Sequence, residues 1–240
     1  MSQFCTLQHG AIDVWYADFG QLSFDQERCY AVLDAAERVR VAKFRFQSLC
    51  DRAVQSHGLL RMLLGHYLQV SPAALNINRT AQGKPYLKDY PALSFNMSHS
   101  GAKLLIAVTE GVALGVDIEE MKARTHTAGI VAKCFAAEEQ VYWQSLSDIE
   151  KMPGFFDFWT RKEAFVKAVG QGISLGLEQC VINPKDLTRL LRIPNQCGSV
   201  AAWRIADLDV DVACRAAVVA RLEAFKVNVF LLDDYLTRLM

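Results

Sequence analysis

The 240-residue chain has no surplus of charge of either sign, since 26 Lys and Arg balance 26 Asp and Glu. Long-range attraction to nucleic acid or to an anionic membrane therefore has no support, and any anionic ligand must be met by specific residues. The seven cysteines (5, 29, 50, 134, 180, 197 and 214) show no CxxC and no Cys/His spacing. That excludes the usual zinc patterns and reads as reduced thiols of a cytoplasmic protein. The start, MSQFCTLQHG, has no basic residues ahead of a long apolar stretch, so it does not read as a secretory signal. Apolar runs such as 216–220 fall far short of the ~20 residues that a membrane-spanning helix needs. No linker rich in Pro, Gly or Ser divides the chain, and no segment is low in complexity.

What is present is a mixture of strand-like and helix-like runs. Residues 12–17 alternate as a strand, and Ser23 with Gln26 resembles a capping box opening a helix towards Phe44. Residues 52–69 carry Leu59, Leu60, Leu63, Leu64 and Tyr67 at helical core spacing, and Ser71-Pro72 suits the start of a short third helix. Strand-like runs follow at 86–87, 93–97, 104–108 and 114–119, with Glu110-Gly111 as a hairpin turn between the last two. The second half repeats the plan, with helices at about 127–146 and 154–169 and strands near 179–183, 200–207, 214–220 and 226–231. The expectation is an α+β protein of two subdomains, 1–112 and 113–240, with the segment from 185 onward completing the second half and an active site in the seam.

Two runs carry the most chemistry. In GVDIEE (115–120), read as a strand, Asp117 and Glu119 share one face while Val116 and Ile118 point to the core. In WTRKEAFVKAVGQG (159–172), read as a helix, Trp159, Glu163 and Lys167 follow at intervals of four along one stripe, beside an apolar face of Phe158, Phe165 and Val169. Three carboxylates in a partly apolar site repel one another, and a hard cation such as Mg2+ relieves that while keeping waters for a phosphate to displace. Alone, either run also reads as a solvated strand face or as a helical ion pair worth a few tenths of a kcal/mol.

Upstream, FNMSHSG (95–101) sets His99 at a strand end among Ser98, Ser100 and Gly101, where backbone amides and an imidazole can approach a phosphate. Lys84 lies in a GKP turn, and Arg38, Arg40, Lys43, Arg45, Arg52 and Arg61 form a basic cluster, each also readable as a solvated charge.

The ordered series ERVRVAKF with Asp51-Arg52, GKPYL, FNMSHSG, GVDIEE, CFAAEE and WTRKEAFVKAVGQGI, over about residues 37–176, resembles the 4′-phosphopantetheinyl transferases. It resembles their larger type, in which one chain holds two similar α+β subdomains in a pseudo-twofold arrangement. The resemblance implies transfer of the 4′-phosphopantetheine arm of coenzyme A to a serine of an apo acyl or peptidyl carrier protein of fatty-acid, polyketide or nonribosomal-peptide synthesis, releasing adenosine 3′,5′-bisphosphate. It implies Mg2+, or Mn2+ in its place, on Asp117, Glu119 and Glu163. Glu163 is then also the candidate base, with Lys167 on the pyrophosphate and protonating the leaving phosphate. His99 and Ser98 fall to the diphosphate, Arg40 and Lys84 to the 3′-phosphate, and Arg52 to the nucleotide. Glu139 matches a further glutamate near the metal, with Glu138 as the alternative register. Glu37 and Asp51 depart from the pattern, standing where some relatives carry basic residues or histidine. The carrier is expected to meet exposed apolar residues ringed by basic ones; residues 121–127, with Lys122, Arg124 and His126, are one candidate and also read as a solvated loop. Paired halves in one chain suit a monomer. A coenzyme A-binding module without transfer and a Mg2+-dependent pyrophosphate hydrolase are the competing readings.

Overall fold

A computed structural model describes residues 7–8, 10–21, 25–123 and 126–232. The first half contains strand β1 (Ala11–Asp18), helices α1 (Gln26–Ala31), α2 (Ala35–Val41) and α3 (Gln47–Leu68), and strands β2 (Ile77–Arg79), β3 (Pro85–Leu87), β4 (Leu93–Ser100) and β5 (Lys103–Glu110). The second contains β6 (Leu114–Glu120), α4 (Thr127–Cys134), α5 (Ala137–Ser145), α6 (Asp148–Val169), β7 (Val181–Ile182), β8 (Leu190–Arg192), β9 (Arg204–Asp207), β10 (Cys214–Ala220) and β11 (Lys226–Leu231).

Two sheets carry the structure, one in the order β11-β1-β5-β4 and the other β6-β10-β9. Their inner faces pack on each other: Ile12, Val14, Leu105 and Ala107 of the first meet Val116, Ile118, Ala216 and Val218 of the second in one buried cluster. Outside the first sheet lies α3, whose Leu59, Leu60, Leu63 and Leu64 join Trp15, Phe95, Leu104 and Ile106. Outside the second lies α6, with Phe158, Ala164, Phe165 and Ala168 against Ala217 and Val219. Burial of both faces explains why β5 reads as a nearly continuous apolar run and why β1, read from the sequence as alternating, is buried along almost its whole length. The α+β class is as the residues predict.

Several boundaries differ from the sequence reading. The helix expected to run towards Phe44 is two helices, because Asp34 caps α2: Asp34 accepts from the Glu37 amide at 2.8 Å and Glu37 accepts from the Asp34 amide at 3.1 Å. The cap of α1 is Asp25, and Ser23 lies outside the described residues. The helix expected over 127–146 breaks between α4 and α5, where the amide of Ala136 donates to Glu139. Helix α6 begins at Asp148, ahead of Pro153, rather than near 154. Gly111 turns with φ of 68°, yet the turn joins no hairpin: β5 pairs with β1 and β4, while β6 pairs with β10 in the other sheet. The last strand does not complete the second half either. Strand β11 runs parallel to β1, with Ala11 opposite Lys226 and Tyr16 opposite Leu231, so the chain returns to the first sheet.

Candidate active site

The seam between the sheets is formed where β4 of the first lies beside β6 of the second. No backbone ladder joins these two strands, and side chains take its place. Asn96, Ser98 and Ser100 fall on one face of β4 at intervals of two. Asn96 Oδ1 accepts from the Val116 amide at 2.9 Å, Ser98 Oγ donates to Asp117 Oδ1 at 2.8 Å, and Ser100 Oγ donates to Glu119 Oε2 at 2.9 Å. His99 points to the opposite face, so Ser98 and His99 do not stand side by side as the sequence reading placed them.

Helix α6 supplies the third wall. A Cβ added to Gly115 would come within 2.0 Å of the Ala164 carbonyl oxygen and 2.4 Å of the Ala168 nitrogen, so glycine at the head of GVDIEE lets the helix approach the strand. At that separation Lys167 Nζ donates to Asp117 Oδ1 at 2.6 Å and to Ser98 Oγ at 2.7 Å, and Trp159 Nε1 donates to Glu119 Oε1 at 3.2 Å. Lys167 therefore pairs with β6 and reaches across the seam to Ser98 of β4. Burial pushes the Asp117 carboxyl above its usual range, against the opposing pull of Lys167 and Ser98. Burial, followed by repulsion from Asp117, also raises Glu163.

The metal implied by the resemblance fits these residues in donor chemistry. Asp117 Oδ2 is buried and has no hydrogen-bond partner, and the charges of Asp117 and Glu119 are both felt at Glu163, so the three carboxylates offer an oxygen set suited to Mg2+. Among the described residues, however, no three His, Cys, Asp or Glu side chains are drawn together as a ready metal-holding group.

The remaining predicted residues divide. His99 is exposed, and protein crowding on one side followed by the charges of Lys167, Arg52 and His57 holds its imidazole below its ordinary value. His57, which the sequence reading passed over, sits 3.6 Å from the Glu37 carboxylate through Nδ1. Arg40 is exposed, and its charge, after burial, helps lower the guanidinium of Arg79, another residue not singled out from sequence. Lys84 is engaged elsewhere: its ammonium donates to Leu114 O at 3.1 Å and Ala168 O at 2.6 Å, tying β6 to the end of α6, and burial brings its pKa down to about 8. It still borders a cavity of about 260 Å3 between the halves, shared with Gly83, Asn96, Met97, Glu163 and Lys167.

Two sequence readings are overturned. Arg61 belongs to no surface cluster; it is fully buried, donating to Glu37 at 2.5 Å, to Asp34, and to the carbonyls of Pro72 and Leu75 at 3.0 Å. Glu139 is fully buried beneath α6, where it accepts from Lys162 at 2.8 Å and from the amides of Ala136 and Ile182 at 2.7 Å, leaving it no part in a metal site. Glu138, the alternative, pairs at the surface with Arg192. In the loop proposed for docking, Lys122 pairs with Glu120, His126 precedes α4, and Arg124 lies outside the described residues.

Comparison with known proteins matches both halves. A family profile described as "4′-phosphopantetheinyl transferase superfamily" matches residues 113–220, and one described as "4′-phosphopantetheinyl transferase, N-terminal" matches residues 23–111. The chain is 31% identical over 217 residues to the 4′-phosphopantetheinyl transferase HetI of Nostoc sp., covering 89% of each. It is 33% identical over 179 residues to a putative 4′-phosphopantetheinyl transferase of Synechocystis sp., covering 74% of this chain and 72% of that one. A 4′-phosphopantetheinyl transferase of Bacillus subtilis is 29% identical over 171 residues, 71% of this chain and 75% of the relative. Matches of this extent, on a seam that joins the quoted motifs, place the chain in the 4′-phosphopantetheinyl transferase superfamily, in its larger form with both halves in one polypeptide.

Proposed function

We propose that this transferase moves the 4′-phosphopantetheine arm of coenzyme A onto a serine of an apo acyl or peptidyl carrier protein, using groups from both halves at the β4–β6 seam. The observation that supports this most is the meeting of Asp117, Lys167 and Ser98 within 2.8 Å, one from each sheet and one from α6. Asp117, Glu119 and Glu163 are the residues that would hold Mg2+, or Mn2+ in its place, which when bound supplies positive charge against the pyrophosphate oxygens.

The other roles follow from position. Lys167 holds the pyrophosphate and returns a proton to the leaving phosphate, while His99 donates to the diphosphate from the outer face of β4. Glu163 takes the proton of the attacking serine, for which a raised carboxyl pKa is the useful direction. Arg40 and Arg79 form a cationic pair suited to the 3′-phosphate, with Arg52 beside the nucleotide. Phe44, Phe46 and Leu49, exposed among Arg40, Lys43 and Arg45, offer the apolar surface with a basic rim that a carrier protein needs. Among the described residues no helix is long and apolar enough to cross a membrane, and the cysteines are free. A cytoplasmic monomer serving fatty-acid, polyketide or nonribosomal-peptide carriers is consistent with these features.

Incubation with coenzyme A, Mg2+ and an apo carrier protein, followed by mass analysis of the carrier, tests the proposal. A gain of one phosphopantetheine arm is expected. Cleaved coenzyme A beside an unchanged carrier makes the protein a hydrolase, and binding without any product makes it a binding module.

A further inference from the structure

We infer that Ser100, together with the indole of Trp159, positions Glu119 for the cation, an inference that rests on the reading of Asp117, Glu119 and Glu163 as its ligands. Ser98 and Ser100 stand two apart on β4, Asp117 and Glu119 stand two apart on β6, and each serine donates to the carboxylate 19 residues onward. The equal offset pairs one hydroxyl with one carboxylate. The two pairs are nonetheless held differently. Asp117 leaves Oδ2 without a hydrogen-bond partner, whereas Glu119 is gripped at both oxygens, by Ser100 at Oε2 and by Trp159 at Oε1.

A hydroxyl has one proton and rotates freely unless its lone pairs are also engaged. The amide of Glu120 donates to Ser100 Oγ at 3.1 Å, which fixes the rotor with its proton aimed at Glu119. The same end of β6 is held by the β4–β5 turn, where the Ala102 amide donates to Glu120 Oε1 at 3.3 Å. A Cβ on Gly101, whose φ is 56°, would fall 2.0 Å from that oxygen. Ser100 thus ties a carboxylate of the second half to the first sheet, and Trp159 ties it to α6. With a donor on each oxygen, the carboxylate plane is set before a cation arrives, and only the remaining lone pairs face the seam. Outer partners of this kind commonly govern metal affinity by 10- to 100-fold. The second serine of FNMSHSG consequently acts on a carboxylate, a role the sequence reading did not assign to it.

The test is Mg2+ titration of the full chain, read by calorimetric binding of coenzyme A and by the thermal midpoint, for wild type, Ser100→Ala, Ser100→Thr and Trp159→Phe. We expect Ser100→Ala to raise the Mg2+ half-saturation about tenfold, with Ser100→Thr restoring it and the metal-free midpoint little changed. Wild-type binding that is indifferent to Mg2+ removes the metal reading itself. Mg2+-dependent wild-type binding beside an unchanged half-saturation in Ser100→Ala overturns the positioning role alone, as does a loss confined to the metal-free midpoint. Should Ser100→Ala not fold, Trp159→Phe carries the test, because it keeps the ring and deletes the donor to Oε1; an unchanged half-saturation there overturns the inference equally.

Discussion

Gly115 and Ala164 are separated by less than a side chain: a Cβ on the strand residue would reach within 2.0 Å of the helix carbonyl oxygen. The contact sets the distance between β6 and α6, and with it the reach of Glu163 and Lys167 towards Asp117.

Gly115→Ala is accordingly expected to cost about 1–3 kcal/mol of stability, the usual range for overpacking, and to lower transfer more than coenzyme A binding. Both elements are backbone at the point of contact, so the helix must shift as a body. A denaturation midpoint and transfer rate equal to wild type would show that the separation is not set there.

Asp117→Ala and Glu163→Gln are expected to abolish transfer while leaving the circular dichroism spectrum intact. Asp117 is bonded directly to Lys167, and Glu163 accepts the serine proton in the proposed mechanism. Full carrier modification by either variant, measured by mass, would strip that residue of its role.

Glu139→Ala is expected to act on stability first. It leaves Lys162 fully buried with the Leu177 and Cys180 carbonyls as its hydrogen-bond partners and, among the described residues, no countercharge. Removing one member of a buried pair costs about 3–5 kcal/mol. Urea denaturation measures this directly. A stable variant with weakened Mg2+ dependence would instead return Glu139 to the metal site.

Lys84 predicts a pH dependence. Its pKa falls from 10.5 unfolded to about 8 folded because burial disfavours the ammonium. Between those values the unfolded chain binds a proton that the folded chain does not, so stability rises with pH across the window, and the gain is lost as pH falls through 8. Wild type should therefore gain thermal midpoint relative to Lys84→Met between pH 8 and 10. Parallel curves for the two proteins would contradict this.

Much of the fold was legible because its elements announce themselves locally. The spacing of Leu59, Leu60, Leu63 and Leu64 marks α3, and the strands at 214–220 and 226–231 coincide with β10 and β11. The helix breaks at Asp34 and Ala136 were missed because each depends on a glutamate three residues onward that also serves a distant partner, Glu37 for Arg61 and Glu139 for Lys162. Those arginine and lysine residues look like surface charges until their partners are known.

By itself the sequence determined which groups share a face: period two sets Asp117 with Glu119, and Ser98 with Ser100, while period four aligns Trp159, Glu163 and Lys167, since side-chain direction within an element follows from backbone geometry alone. Only the tertiary structure decided which faces meet. It assigned β11 to the first sheet, turned Glu139 inward to Lys162, and set Ser98 and Ser100 of β4 each against one carboxylate of β6. Pairings of that kind depend on how separately folded layers pack, through burial and hydrogen-bond satisfaction summed over residues far apart in the chain, and no local pattern encodes them.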